Sequence, residues 1–130
     1  MIKKISNLIN SSYVWFIAFL ILIFSNLLFN KAEATPTFVD SFSVASQETS
    51  PQSVAFNTDG TKMFVLGSAG DDVNEYTLST GFDVSTASFV DSFSVSGQDA
   101  APYGLAFNSD GTKMFVLCSA GDDVNEYTLT

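Results

Sequence analysis

Two equal clusters of carboxylates are the side chains in this sequence that are best suited to chemistry. They consist of Asp71, Asp72 and Glu75 and, 51 residues later, of Asp122, Asp123 and Glu126. Because oxygen-rich clusters suit Ca²⁺, its candidate ligands here are Asp71, Asp72, Asp122 and Asp123. The spacing differs from the alternating acidic loop of an EF-hand, and so favours solvated turns in which an Asp caps the following strand. Two carboxylates facing one cleft would instead suit glycoside hydrolysis.

Composition excludes the common nucleophilic systems. The chain has no histidine and no arginine, and Cys118 is its single cysteine. Ser/His/Asp and Cys/His systems both need a histidine base, and a thiol without such a partner is not activated. The sequence around Cys118 also occurs 51 residues earlier, where Gly67 takes the place of the cysteine. We therefore expect Cys118 to be a small buried residue at a strand end. An intermolecular disulfide is the alternative.

A block of about 42 residues occurs twice in the chain. The first copy runs over Phe38–Ser79 and the second over Phe89–Thr130, and about 31 of the 42 positions are identical. A unit that is repeated so faithfully is a building block, which must bury its apolar faces against copies of itself. The sequence therefore says more about architecture than about activity.

Each copy divides into four short apolar runs that are separated by turn signals. In the first copy the runs are Phe38–Val44, Ser53–Asn57, Lys62–Gly67 and Val73–Leu78. All are rich in Phe, Val, Tyr and Thr and have the length of strands. An Asp-Gly pair follows the second run of each copy, where glycine supplies the positive φ of a tight turn. The pattern predicts four antiparallel strands per copy.

The segment at 55–80, AFNTDGTKMFVLGSAGDDVNEYTLST, resembles the repeat of extracellular β-propeller families related to surface-layer YVTN and NHL repeats. The resemblance extends over Phe38–Thr130. Where the family pattern has Tyr-Val-Thr-Asn after the Asp-Gly turn, this chain has Phe-Val-Leu-Gly at 64–67. The resemblance implies an all-β fold of two four-stranded antiparallel propeller blades with a repeat of about 51 residues. Two sheets packed as a sandwich are the alternative.

The N-terminal 34 residues have the pattern of an export signal. Lys3 and Lys4 precede an apolar run at 13–29, and Ala32 and Ala34 provide small residues before a cleavage point. A signal helix that is cleaved after Ala34 is expected, with an uncleaved signal anchor as the alternative. The predicted divisions are this signal at 1–34, a first blade repeat at 35–88 and a second at 89–130. The later two would be secreted, periplasmic or on the cell surface.

Charge limits the partners of the exported part. Its only basic residues are Lys62 and Lys113, against about 13 carboxylates, so its net charge is near −11. Such a surface repels phosphate backbones and anionic lipid. Nucleic acid is therefore excluded as a partner, and contact with a membrane is expected only through the N-terminal segment. A carbohydrate or a protein remains as the expected partner.

The loop before the second run of each copy is the predicted ligand rim. It should lie beside the turn that follows the third run, at the end of a propeller where ligands usually bind, and it is where the two copies differ most. The candidate rim residues are Gln47, Glu48, Gln98, Asp99 and Tyr103. Neutral drift in exposed loops would produce the same variation.

These features predict an exported binding or interaction module without a recognisable catalytic site. A metal-dependent propeller hydrolase of the lactonase or glycosidase kind is one alternative, and a purely structural surface-layer or adhesin repeat is another. Two blades cannot close a ring, which needs about four to eight. Either about three or four copies assemble head to tail, or the sequence is part of a longer propeller.

Overall fold

The described part of the chain forms seven antiparallel strands in two sheets. The structure is a computed structural model that describes residues 35–98 and 100–129. The strands are β1 (Pro51–Phe56), β2 (Lys62–Gly67), β3 (Asp72–Leu78), β4 (Ala87–Ser94), β5 (Pro102–Phe107), β6 (Lys113–Cys118) and β7 (Asp123–Thr128). The first sheet has the order β1-β2-β3-β4 and the second β5-β6-β7, which confirms the all-β class.

Residues 39–130 form a compact unit that is separate from residues 1–38. The predicted signal at 1–34 and the rim candidate Asp99 lie outside the described residues. In the part of the chain that is described, no helix is both long and apolar enough to cross a membrane. One turn of 3-10 helix, Val84–Thr86, precedes β4.

The apolar run of β2 is covered on both faces, as expected for a strand inside a stack of sheets. Met63 and Val65 point to one side, where Tyr76 and Leu78 of β3 join them in a core. Phe64 and Leu66 point to the other side. The second sheet packs against this other side. The core between the two sheets contains Leu66, Val73, Val95, Met114, Val116 and Cys118.

The same seven residues, FVDSFSV, have different structures in the two copies. In the second copy the first six of them lie in β4, which pairs with β3 from Leu78↔Ala87 to Asp72↔Ser94. In the first copy, Phe38–Val44 is not a strand, so the strand predicted there is wrong. The reason is not propensity, since the sequences are identical. A strand needs a ladder partner for its backbone groups, and the described residues provide one only for β4.

The Asp-Gly turns are built as the sequence predicted. Gly60 and Gly111 both have φ of 71°, in the left-handed region that favours glycine. The Asp59 carboxylate accepts hydrogen bonds from the Thr61 hydroxyl at 2.6 Å and from its backbone N–H at 3.0 Å. Asp110 and Thr112 repeat these bonds at the same distances. These local bonds fix the turn that joins β1 to β2 and β5 to β6.

The two turn aspartates should make stability fall in acid. Donation from the Thr61 hydroxyl and then from its backbone N–H lowers the pKa of Asp59, and Thr112 does the same for Asp110. A lowered folded-state pKa gives stability that is complete above about pH 4 and is lost as the pH falls through that lowered pKa. The Asp59→Asn, Asp110→Asn double variant should therefore show a flatter stability profile below about pH 4. Urea unfolding at a series of pH values measures this. Thr61→Ala with Thr112→Ala should flatten the profile in the same way, and an unchanged acid slope in both variants would contradict the assignment.

Candidate functional site

The predicted rim is formed at the end of the sheets where β2 turns into β3. The Ser68 backbone N–H donates to the Ser50 carbonyl at 3.1 Å, and the two hydroxyls lie 3.1 Å apart. The second copy repeats the backbone bond from Ser119 to Ala101 at 3.1 Å. The loop before the first strand of each sheet and the turn after its second strand therefore form one surface, as the sequence predicted.

Glu48 is part of the rim framework and not of its accessible surface. Its side chain is almost completely buried, with 1% of its surface exposed. Its carboxylate accepts hydrogen bonds from the backbone N–H groups of Ser50, of Ala69 at 3.3 Å and of Gly70 at 3.2 Å. A carboxylate with several backbone donors is well satisfied when it is buried. The prediction that Glu48 is offered to a ligand is therefore corrected: it holds the loop and the turn together.

The absence of a side chain at Gly67 makes room for that carboxylate. A Cβ atom built on Gly67 would overlap the carboxyl group of Glu48. In the second copy both positions differ, since Cys118 replaces Gly67 and Asp99, which is one methylene shorter, replaces Glu48. Cys118 is buried at the end of β6, as the sequence predicted. The first copy thus combines no side chain at 67 with a long carboxylate at 48, and the second combines a side chain at 118 with a shorter carboxylate at 99.

Gln47 and Gln98 have equivalent positions beside Tyr76, which is buried, and Tyr127, which is half-buried. The Tyr76 hydroxyl donates to Gln47 Oε1 at 3.4 Å, and the Tyr127 hydroxyl donates to Gln98 Oε1 at 3.0 Å. Burial, followed by the nearby charges of Asp72 and Glu48, raises the pKa of Tyr76, so its hydroxyl stays protonated and continues to donate. These two rim candidates have defined orientations that are set by the core below them.

The position with the largest change between the copies lies on a β-bulge. The pairing of β1 with β2 shifts register between Pro51 and Ser53, and that of β5 with β6 shifts between Pro102 and Gly104. Bulges re-aim the side chain that they carry. In the first copy this side chain is Gln52, whose amide donates to Ser50 and Ser68. In the second copy it is Tyr103, which is about half exposed.

Of the four aspartates proposed for calcium, Asp71 and Asp122 lie in turns, and Asp72 and Asp123 are the first residues of β3 and β7. Asp71 and Asp122 have φ of 48° and 53°, so these residues, and not the glycines before them, take the left-handed conformation. Asp72 accepts from the Asn74 amide at 2.7 Å, and Asp123 accepts from the Asn125 amide at 3.0 Å. Desolvation is the main cause that raises the pKa of Asp72. Within 35–98 and 100–129, no three carboxylates or cysteines converge as metal ligands would.

A large cleft opens between the two sheets at the opposite end, beside the Asp-Gly turns. Its volume is about 1310 Å³. Its apolar lining includes Phe64, Phe93, Phe107 and Met114, and its polar lining includes Glu75 and Asp91. Sequence reasoning did not find this cleft, because Phe64 and Phe107 look like core residues in apolar runs. The signal in the sequence was the alternation of polar and apolar residues along β4, where Asp91 and Phe93 are two residues apart and both line the cleft.

No family model matches the chain. No curated protein matches it either.

Proposed function

We propose that the chain is an exported recognition module built from two β-propeller blades, and that it binds a neutral carbohydrate on the rim that carries Tyr103. The proposal for the blades is supported by two antiparallel meanders that follow the sequence repeat and stack on each other. Phe64 of the first sheet and Phe107 of the second lie with ring centroids 4.6 Å apart. The proposal for export rests on the N-terminal signal pattern.

The observation that supports binding at this rim is the half-exposed ring of Tyr103 on its bulge. Tyrosine offers a large apolar area and a polar hydroxyl with few rotatable bonds. Gln98, on the loop before β5, and the Ser119 hydroxyl belong to the same rim. A sugar has apolar faces and a periphery of hydroxyl groups, so an aromatic face with amide and hydroxyl groups nearby fits its chemistry.

Charge selects a neutral ligand over an acidic one. The whole chain has a net charge of −9, so phosphate, sulfate or uronate groups would be repelled as they approach. The first copy lacks the aromatic ring, because Gln52 fills the equivalent position and is tied to Ser50 and Ser68. The second copy is therefore the expected site, and the first copy is its natural control.

Binding to immobilised neutral glycans tests this function. The full chain should bind a subset of them, and Tyr103→Ala should weaken that binding at least tenfold, since stacking on an aromatic ring carries much of such an interface. Gln52→Ala changes the matching position of the other copy and should leave binding unchanged. Equal losses in both variants would place the ligand elsewhere. A silent glycan array would contradict the carbohydrate proposal and would favour the purely structural role.

A further inference from the structure

The second sheet presents an uncovered apolar face and an open strand edge, and we propose that a second copy of this chain covers both. In this arrangement the segment at 36–43 of the second copy, which is equivalent to β4, adds to β7 as a fourth strand. The first sheet of that copy packs on the outer face of β5–β7. The contact is between different surfaces on the two partners, so it can repeat from copy to copy.

The first evidence is a difference in exposure between equivalent residues. Leu66 and Val73 of the first sheet are 0% and 4% exposed, because the second sheet packs on them. Leu117 and Val124 hold the same repeat positions in the second sheet and are 36% and 60% exposed. A contiguous exposed apolar face marks an interaction surface. Within the chain, the face of the first sheet that contains Leu66 is covered by the face of the second sheet that contains Met114 and Val116. The equivalent face of another copy's first sheet, which contains Met63 and Val65, should therefore fit on Leu117 and Val124.

The second evidence is the position of the segment at 39–48. The Phe42 ring meets Tyr76 edge to face at 5.5 Å and 77°. Phe93, which holds the same repeat position in β4, meets Tyr127 at 5.3 Å and 80°. The valines that follow, Val44 and Val95, also pack on matching cores. Residues 39–48 therefore lie on the first sheet as the end of β4 lies on the second.

This similarity identifies what residues 39–44 lack. β4 is the outermost strand of one sheet and touches the next sheet in the chain. Residues 39–44 have the same relation to the first sheet, so their position is that of an outermost strand of a preceding sheet. A complete four-stranded sheet would need three further strands beside residues 39–44. The sheet β5–β7 has three strands, one fewer than the first sheet.

The third evidence is the edge of β7. Over the described residues, its ladder is with β6 alone, whereas the identical sequence in β3 also pairs with β4. An unpaired edge strand is a template for another strand. Transferring the β3–β4 register by 51 residues places Asp40 opposite Glu126, Ser41 opposite Asn125 and Thr37 opposite Thr128. The large cleft lies beside this edge, since Tyr127, Thr128 and Leu129 line it.

The face that would be contributed by the second copy is also partly open. A shallow cavity of about 450 Å³ lies on the outer side of the first sheet, where Phe42, Val54 and Met63 contribute to its lining. Val54 is exposed there, while Leu105, its equivalent in the second sheet, packs in the core between the sheets. The two uncovered faces are thus those that meet each other inside the chain. About three or four copies would close a ring of six or eight sheets.

Disulfide trapping in the full chain tests the strand register. Thr37→Cys and Thr128→Cys are introduced together in a Cys118→Ala background, so that only the new thiols react. Paired positions on neighbouring strands lie close enough for a disulfide, so mild oxidation should give dimers and a ladder of larger species on a non-reducing gel. Thr37→Cys with Thr77→Cys is the matched control. Thr77 is the equivalent position on β3, whose edge β4 already covers, and it should give no ladder. A ladder of equal yield in both pairs, or in neither, would overturn the proposal.

The mass of the full chain in density-matched detergent gives a second measurement that does not depend on the new cysteines. Sedimentation equilibrium should show several chains per particle. Val124→Asp places a charge on the proposed interface at a side chain that is exposed in the single chain, so it should give monomers without unfolding them. Val90→Asp alters another exposed strand valine, on β4, and should leave the assembly intact. Monomers of the unaltered chain at every concentration, or an assembly that tolerates Val124→Asp, would overturn the proposal. Both outcomes are independent of whether Tyr103 binds a glycan.

Discussion

Leu66→Ala should lower the free energy of unfolding by about 2–5 kcal/mol, the usual range for a leucine that is truncated in a well-packed core. Leu66 is completely buried where the second sheet packs on the first, with Val73 and Met114 in the same cluster. Removing its side chain leaves a cavity between two sheets that are each held by their own ladders, so neither sheet collapses easily into the gap. Urea unfolding followed by circular dichroism measures the loss.

Leu117→Ala is the matched control, because the same residue of the second repeat is truncated. Leu117 is 36% exposed, so in single chains its loss should cost less than about 1 kcal/mol. If copies assemble through this face, the cost of Leu117→Ala should increase with protein concentration, whereas that of Leu66→Ala should not. Equal costs for the two variants in dilute solution would mean that the second sheet does not pack on Leu66 as described.

The strands within each repeat could be predicted because their signals are local. β2 spans the residues that the apolar run predicted, Lys62–Gly67. The Asp-Gly turns bracket it with a chemistry that needs only the next two residues. β1 and β3 each begin one or two residues before the predicted start, since the ladder extends into the flanking turn. Pattern and turn chemistry agree here, and this agreement makes a local prediction reliable.

The identical segments at 38–44 and 89–95 show where local reasoning ends. One of them lies mostly in β4, and the other is not a strand. No property of the heptapeptide separates them, because strand formation depends on a neighbour that supplies the other half of the ladder. The uncovered face of the second sheet could not be predicted for the same reason. Leu66 and Leu117 each end the same run, KMFVL, and the packing of the sheets is what gives them different exposure.

At the candidate site, the sequence located the rim but misjudged one of its members. The loops were predicted to lie together, and the bond between Ser50 and Ser68 shows that they do. Glu48 was assigned to the surface because a glutamate in a loop is usually exposed. The signal against that assignment was present in the repeat. A larger residue at 118 accompanies a shorter carboxylate at 99, which is the exchange expected if Gly67 and Glu48 share space.

Gly67→Cys should destabilise the chain by about 3 kcal/mol, although it copies a residue that the second repeat carries. The new side chain would enter the volume of the Glu48 carboxylate, and overpacking of this kind costs about 1–3 kcal/mol. The displaced carboxylate would also lose backbone donors at Ala69 and Gly70, at about 1.5–3 kcal/mol for a bond to a charged group. Thermal and urea unfolding of the full chain measure the change.

A second substitution at Glu48 should restore part of the stability that Gly67→Cys removes. Glu48→Asp shortens the carboxylate by one methylene and reproduces the pair found in the second repeat, so the Gly67→Cys, Glu48→Asp double variant should recover about half of the loss. Residues in direct contact usually show coupling energies of about 0.5–3 kcal/mol in such cycles. Cys118→Gly in the other repeat should cost about 2 kcal/mol, because it removes a small side chain from the core and adds the backbone freedom of glycine. Additive losses for Gly67→Cys and Glu48→Asp would mean that the two side chains do not share space. The coupling would then have to be sought in the loop backbone, where Glu48 also binds the N–H of Ser50.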